Sequence, residues 1–371
     1  MREVYRGNSR LPADESSVRT MGSVTGVFTS ENRLHPAARQ LLNDAIDKGW
    51  ASPSKIHHSS RELSLLLEES RAIFASHLKV PASSLHFLGE PGLGFHLGAN
   101  GLLGNGQLSL PATSRQELLA IAQGHSRSAV LPVDLEGSWQ LPDGEPDDLL
   151  VWATANLETG AHSPIPSDFA GQIFVDATAD YSIPLPARWS GALWDSKSWS
   201  GPLGLGILAI SETALWKNPL PHIDQRVVPG DFNPALVIAS AIALQANEVE
   251  RVATITALQE INSTIRNFVV TQIGDVDIAS PISGSAHLLS FSFLYLHAEQ
   301  LVEKMDARGF SLDSGSACIS ANLEPSHVLA AMGRLTHGNV RLHLYPNNSL
   351  AEVEKMLVAL KEVVTELRAN K

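Results

Sequence analysis

Cys318 is the only cysteine in 371 residues, and it stands in "LDSGSACISANLEPSHVLAAMG" (312–333). Gly315, Ser316 and Ala317 precede it, Ser320 follows, and a helix start is expected at Ser326. A thiol in a loop of such small residues can swing to a substrate, and its thiolate is a strong nucleophile even when little of it is ionised. The competing role for a lone cysteine is that of a small buried hydrophobe. A second candidate is Lys197, in "LWDSKSWSGPLGLGILAI" (193–210). A strand-like run stops at Trp194, the lysine stands alone, and a turn follows at Gly201-Pro202. An amine so placed can form an imine and anchor a carbonyl cofactor; otherwise it is a surface charge. His57, His58 and His96 do not form a metal set, and a single cysteine rules out a cysteine-rich centre, so no metal is expected.

These side chains need a frame. From 60 to 78, Leu63, Leu66, Leu67, Ile73, Phe74 and Leu78 recur at three- and four-residue spacing, which predicts an amphipathic helix. Between about 103 and 205, short apolar runs alternate with polar and helical stretches, "DLLVWATAN" and "QIFVDATA" being the clearest. Continuous apolar runs suit strands covered on both faces, as in a parallel α/β sheet. In the last third, "HLLSFSFLYL" alternates like a half-exposed strand, "HAEQLVEKMDARG" reads as a helix closed by Gly309, and "NVRLHLY" as another strand. The tail helix opens with a capping box, Ser349 to Glu352, and carries an apolar stripe through Val353, Leu357, Leu360 and Val364. The fold class expected is α/β: a loose arm over 1–20, a large, mainly parallel α/β domain over 21–230, and a smaller α+β domain over 231–371 carrying the Cys318 loop.

Asp and Glu number 39 against 27 Lys and Arg, for a net charge of −12, and there is no lysine- or arginine-rich block. Nucleic acid and anionic membrane surfaces demand a basic footprint, so neither is an expected partner. The most apolar run, "ALVIASAIAL" (235–244), is too short to span a bilayer and reads as a buried helix. The polar start "MREVYRGNSRLPADESSVRT" lacks the apolar stretch of a secretory signal. With no intrachain disulfide possible, a cytoplasmic setting is expected, and a small molecule or another protein as partner.

The stretch around Cys318 resembles the active-site loop of the cysteine desulfurases, in the class V branch of the pyridoxal 5'-phosphate (PLP) enzymes, which reads SSGSAC followed by S.LEPS and a helix. Other segments resemble the family in the same order along the chain. "SPSKIHHSSRE" is similar to its N-P-S-S-x-H and following G-R, "NLETG" to N-N-E-x-G, and "VDATA" to V-D-A-x-Q. "SWSGPLGLGIL" is similar to H-K-x-x-G-P-x-G-x-G-x-L, and "NVRLHL" to x-I-R-x-S-L. The resemblance runs from about residue 27 onward. It implies the PLP-dependent transferase fold of type I, with a seven-stranded, mainly parallel sheet and active sites at the interface of a homodimer. It also implies L-cysteine as substrate, alanine as product, and a persulfide on Cys318 that passes to a sulfur-acceptor protein. In that register Asp176, at a strand's carboxyl end, pairs with the pyridinium nitrogen and Arg341 clamps the substrate carboxylate. Lys197 stands nearest the place of the cofactor lysine, and Asn156, Gly92 and Ser198 fall at cofactor contacts.

The register also departs from the family. Aligned on Gly201-Pro202, the imine lysine falls on Ser198, and Lys197 takes the preceding histidine's place. The phosphate-cradling S-G-G-T-E becomes "GEPGLG" (89–94), with Glu90 and Pro91 at a helix start, where a carboxylate repels phosphate and proline removes an amide donor. The stacking histidine of E-H-x-A-V becomes Ala112 in "LPATSRQ", the second asparagine of N-N-E becomes Leu157, the glutamine after Asp176 becomes Ala179, and the partner subunit's R-S-G-T becomes "VPGD" with Asp231. Two functions follow: a PLP-dependent cysteine desulfurase using Lys197 and Cys318, or a scaffold without PLP that relays sulfur at Cys318 or serves as an interaction partner.

Overall fold

Runs that are apolar without interruption fold as strands. A computed structural model describes residues 26–30, 34–47, 55–222, 226–228, 232–315 and 325–369. Along the chain these form β1 (Val27–Phe28), α1 (Pro36–Asp47), α2 (His58–Leu78), β2 (Leu85–Leu88), α3 (Pro91–Phe95), β3 (Leu108–Pro111), α4 (Gln116–Gly124), β4 (Ser128–Leu131), β5 (Leu149–Ala153), β6 (Gln172–Asp176), β7 (Gly191–Asp195) and β8 (Gly206–Ile210). There follow α5 (Pro234–Phe268), β9 (Val276–Ile278), β10 (Leu288–Phe293), α6 (Ala298–Asp306), β11 (Ser311–Leu312), α7 (His327–Ala331), β12 (Asn339–His343) and α8 (Leu350–Ala369).

Seven strands make one sheet in the order β2-β8-β7-β6-β5-β3-β4. Strands β3 to β7 run parallel, and β8 is reversed between β7 and the edge strand β2. This is the seven-stranded, mainly parallel sheet that the resemblance implies. Both faces are covered, which is why the strand sequences do not alternate. Leu150 and Trp152 of β5 join a core with Phe74 of α2 and Val237 and Ala241 of α5, whereas Leu149 and Val151 join another with Phe95 of α3 and Leu118 of α4. In α2 the expected stripe buries Leu67, Phe74 and Leu78, but Leu66 is 45% exposed. The run 235–244 opens α5 and is largely buried, with Asn233 capping Ala235 and Pro234 in the first turn. No helix among the described residues is long and apolar enough to cross a membrane.

His86, in edge strand β2, lies half-buried near the Arg71 guanidinium. Burial first, and that charge second, push its imidazole down from 6.5 to about 4. The unfolded chain takes up this proton first as the pH falls, so stability is lost between pH 6.5 and 4, by up to about 3 kcal/mol. Urea unfolding across that window should show the loss, and H86Q should flatten it; an unchanged acid limb in H86Q would place its origin elsewhere.

A second sheet, β12-β10-β9, is antiparallel and packs its apolar face on α8, α6 and the last part of α5. The division expected near 230 falls just ahead of α5, which contributes Val237 and Leu244 to one core and Leu258 and Ile265 to the other. Strand β1 pairs in parallel with β11, and Phe28 is buried in this second core. Every residue of β10 is buried, where the alternating sequence suggested a half-exposed strand. The reason is that its serines are satisfied in place: Asn339 donates to Ser290 Oγ at 2.9 Å and Ser292 Oγ at 3.2 Å, and Ser292 donates to the Leu335 carbonyl at 2.8 Å. The capping box at α8 is half formed. Ser349 Oγ accepts the Glu352 N–H at 3.2 Å, but the Glu352 carboxylate turns to the Gly26 amide and ties β1 to this helix.

Candidate active site

The carboxyl edge of the large sheet gathers the charged groups. Asp176 ends β6, in register with Ala153 of β5 and Leu193 of β7, and is 4% exposed. Its Oδ1 accepts the Thr178 N–H at 3.0 Å and the Thr178 hydroxyl at 2.5 Å. Its Oδ2 accepts Arg115 Nε at 3.1 Å, and Arg115 Nη2 donates to Thr178 Oγ1 at 2.5 Å. The guanidinium carbon stands 5.2 Å from the centroid of the Phe95 ring. Arg115 is a residue that motif reading passes over. The signal for it is a cation at the N-cap position of α4, where the helix dipole disfavours positive charge unless an acid elsewhere claims it.

Beside it, β7 ends at Asp195, which caps a single 3₁₀ turn over Ser196–Trp199. Asp195 Oδ1 accepts the Lys197 N–H at 2.9 Å, and Lys197 Nζ stands 3.7 Å from Oδ2. Ser198 turns the other way and donates to the Asp195 carbonyl at 2.8 Å. The turn is pinned by buried Trp199, whose indole N–H reaches Ser240, and by Gly201, where a Cβ would meet Ser196 Oγ at 2.1 Å. The lysine therefore joins the edge cluster and the serine does not. Burial pushes the Asp195 carboxyl above the usual carboxylate range, against the pull of Lys197 and Arg115 and with some help from Glu90. All four charges share one field. Gly92 donates its N–H to Glu90 Oε1 at 3.0 Å, so the amide expected at the cofactor phosphate is occupied by a carboxylate. Gly94 and Gly98 let α3 and the turn after it lie on the sheet: a Cβ would meet Leu193 at 2.3 Å and the Phe174 ring at 2.1 Å.

Asn156 follows β5 and holds its own turn. Its Oδ1 accepts the N–H groups of Glu158 and Thr159 and the Thr159 hydroxyl, and its Nδ2 donates to the Thr113 carbonyl at 2.9 Å. A cavity of ≈ 20 Å³ beside it, bordered by Ser114, Ala153 and Met332, has room for about one water.

Arg341, in β12, is 9% exposed. Its Nη2 donates to the Ser314 carbonyl at 3.0 Å, and its Nη1 stands 3.8 Å from Glu158 Oε1. The other oxygen of Glu158 accepts the Ser326 hydroxyl at 2.7 Å. Ser314 and Ser326 flank the stretch that carries Cys318, so one ion pair ties both of its feet. Cys318 itself and Asp231 lie outside the described residues. Among the described residues, Arg341 Nε and Asn339 Oδ1 are buried without a hydrogen-bond partner, and a Cβ on Gly315 would meet that Oδ1 at 2.9 Å. His337 lies in the turn just ahead of β12, and Glu158, the partner of Arg341, is a residue that motif reading did not single out. Behind Asp176, Asp180 accepts the Ser285 hydroxyl at 2.6 Å, and His287 Nε2 meets the Ala179 carbonyl at 3.1 Å, which locks the small sheet to this edge. Burial alone would raise the Asp180 carboxyl; the hydrogen bond from His162, the charge of His287 and the Ser182 and Ser285 hydroxyls outweigh it and hold the group well below the usual range.

No family model matches the chain. The cysteine desulfurase IscS of Dictyoglomus turgidum is 26% identical over 384 aligned residues, covering 92% of this chain and 94% of that protein. This likeness, along nearly the whole of both chains, supports a member of the cysteine desulfurase family. Solved structures agree on its fold. A NifS-like protein superposes with a TM-score of 0.82 at 19% identity, over 92% of this chain and all of its own length. The apo cysteine desulfurase of Thermococcus onnurineus NA1 gives 0.77 at 18% identity, over 92% and 95%. The chain thus has the α/β architecture of fold type I, and the cysteine desulfurases that it resembles are typically PLP-dependent. Among its described residues no group of histidines and carboxylates could hold a metal ion.

Proposed function

We propose that this protein is a cysteine desulfurase that moves sulfur from L-cysteine to Cys318, with PLP as its cofactor. The observation that carries the reading is Arg341, buried at the feet of the Cys318 stretch with its Nε–H unpartnered among the described residues. A guanidinium N–H held in this way is a receptor for a carboxylate, and an amino-acid substrate brings one. Glu158 fixes the plane of the guanidinium, so the substrate's carboxylate is received in one orientation. The Cys318 thiolate would then take the substrate's sulfur: the bond from that sulfur to the β-carbon breaks with its electron pair kept by the carbon, the new S–S bond makes a persulfide, and the β-carbon takes up a proton to give alanine.

PLP asks for an anion at its ring nitrogen and an amine at its aldehyde. Asp176, buried at the end of β6, and Lys197, beside the end of β7, fit these two demands. When bound, the cofactor supplies an electron sink that loosens bonds at the substrate's α-carbon. Asp176 would keep the ring nitrogen protonated and Lys197 would hold the aldehyde end. Asn156, Gly92 and Ser198 have their polar atoms committed within the chain, so the fit rests on the first two. A homodimer in the cytoplasm, handing sulfur to an acceptor protein, completes the reading. A PLP-free sulfur relay draws support from the Arg115–Asp176 pair, but likeness along nearly the whole length of a desulfurase speaks for the enzyme.

The test is to saturate the protein with PLP, add L-cysteine, and count alanine and protein-bound persulfide, with sedimentation reporting the dimer. Alanine and persulfide should appear one for one in a single turnover. R341Q should raise the KM for L-cysteine on the order of a hundredfold, the loss of about 2–3 kcal/mol of charge-assisted hydrogen bonding, while persulfide still forms at saturating cysteine. No alanine from PLP-saturated wild type would end the reading.

A further inference from the structure

Asp176 presents its carboxylate to a cation, and the cation it holds is Arg115. The contact is two-sided: Nε on Asp176 Oδ2 at 3.1 Å, and Nη2 on the Thr178 hydroxyl at 2.5 Å, which itself closes onto Asp176 Oδ1. The guanidinium also lies against the buried Phe95 ring, at 5.2 Å from its centroid. A planar cation, hydrogen-bonded through its edge to a buried carboxylate and set against an aromatic ring, meets the same demands that a protonated pyridine makes of a pocket.

We propose that Arg115 is a built-in competitor of the cofactor, occupying on Asp176 the place of the pyridinium, so that PLP binds only by displacing it. This rests on the PLP reading above. Oδ1 is already engaged by two donors of Thr178, which leaves Oδ2 as the oxygen for which both cations contend. Two positive charges on one buried carboxylate repel each other, so the guanidinium and the pyridinium exclude one another there. Removing it has two opposite effects. The cofactor-free chain loses the partner of a buried acid, and the cofactor gains an uncontested one.

The experiment measures PLP binding by ultrafiltration for wild type, R115V, R115Q and R115K, with thermal melts of each with and without PLP. R115V and R115Q should bind PLP at least tenfold more tightly than wild type, melt lower without it, and recover with it. R115K keeps the charge and should stay near wild type. Affinities for R115V and R115Q no higher than wild type would overturn the proposal, as would a lowered melting temperature that PLP does not restore, the mark of a purely structural arginine. So would R115K binding as tightly as R115V, because charge would then not be what competes. Tighter binding without sulfur transfer upholds the competitor and removes the desulfurase; equal binding with sulfur transfer does the reverse.

Discussion

Lys197→Ala, mixed with excess PLP, shows no visible absorbance band, and its release of alanine from L-cysteine falls by about a thousandfold or more. The expectation follows from how the turn after β7 divides its side chains. Lys197 brings its ammonium to Asp195 on the carboxyl edge, whereas Ser198, in the family's lysine register, is turned back onto the Asp195 carbonyl and carries a hydroxyl that cannot form an imine. S198A should therefore keep the band, losing only the roughly 1 kcal/mol of stability that one hydroxyl bond contributes. Circular dichroism would establish that K197A still folds, since its lysine is partly exposed and the turn is pinned by Trp199 and Gly201. A visible band surviving in K197A would assign the imine to another amine.

Cys318→Ala gives the complementary outcome. The band with PLP persists, yet no persulfide forms, and intact-protein mass spectrometry after L-cysteine finds none of the added sulfur that wild type carries. Only a thiolate can take the sulfur, so C318S should fail equally. Persulfide on C318A would exclude the thiol as acceptor, because the chain has no second cysteine. Together the two variants separate cofactor anchoring from sulfur acceptance: one loses both signals, the other loses only the second.

The frame of the site is legible in the sequence because burial leaves an unmistakable pattern. "LLVWA" and "QIFVD" are apolar at successive positions since β5 and β6 are covered on both faces, and Asp176 breaks the second run where the strand ends. Patterning misleads at β10, where Ser290 and Ser292 read as a wet face; Asn339, on a different strand, makes them compatible with burial, and no local rule contains that partner. The direction of Lys197 is likewise hidden, since one residue of register depends on how Asp195 caps a turn. Arg115 is the least legible of all. Its contact with Asp176 joins the start of α4 to the end of β6, and a long side chain's reach across a fold leaves no periodic trace.

Strand β1 bears on how the chain folds as it is made. All seven strands of the large sheet exist once Ile210 has been synthesised. The second core is different, since Phe28 belongs to it and its strand partner ends at Leu312. At typical synthesis rates Phe28 waits on the order of 15–60 s for that partner. Longer still is the wait for α8, whose Glu352 holds the Gly26 amide. The order of assembly on the ribosome is thereby set: the large sheet first, then the small domain, with β1 docking last against a surface that did not exist when it emerged.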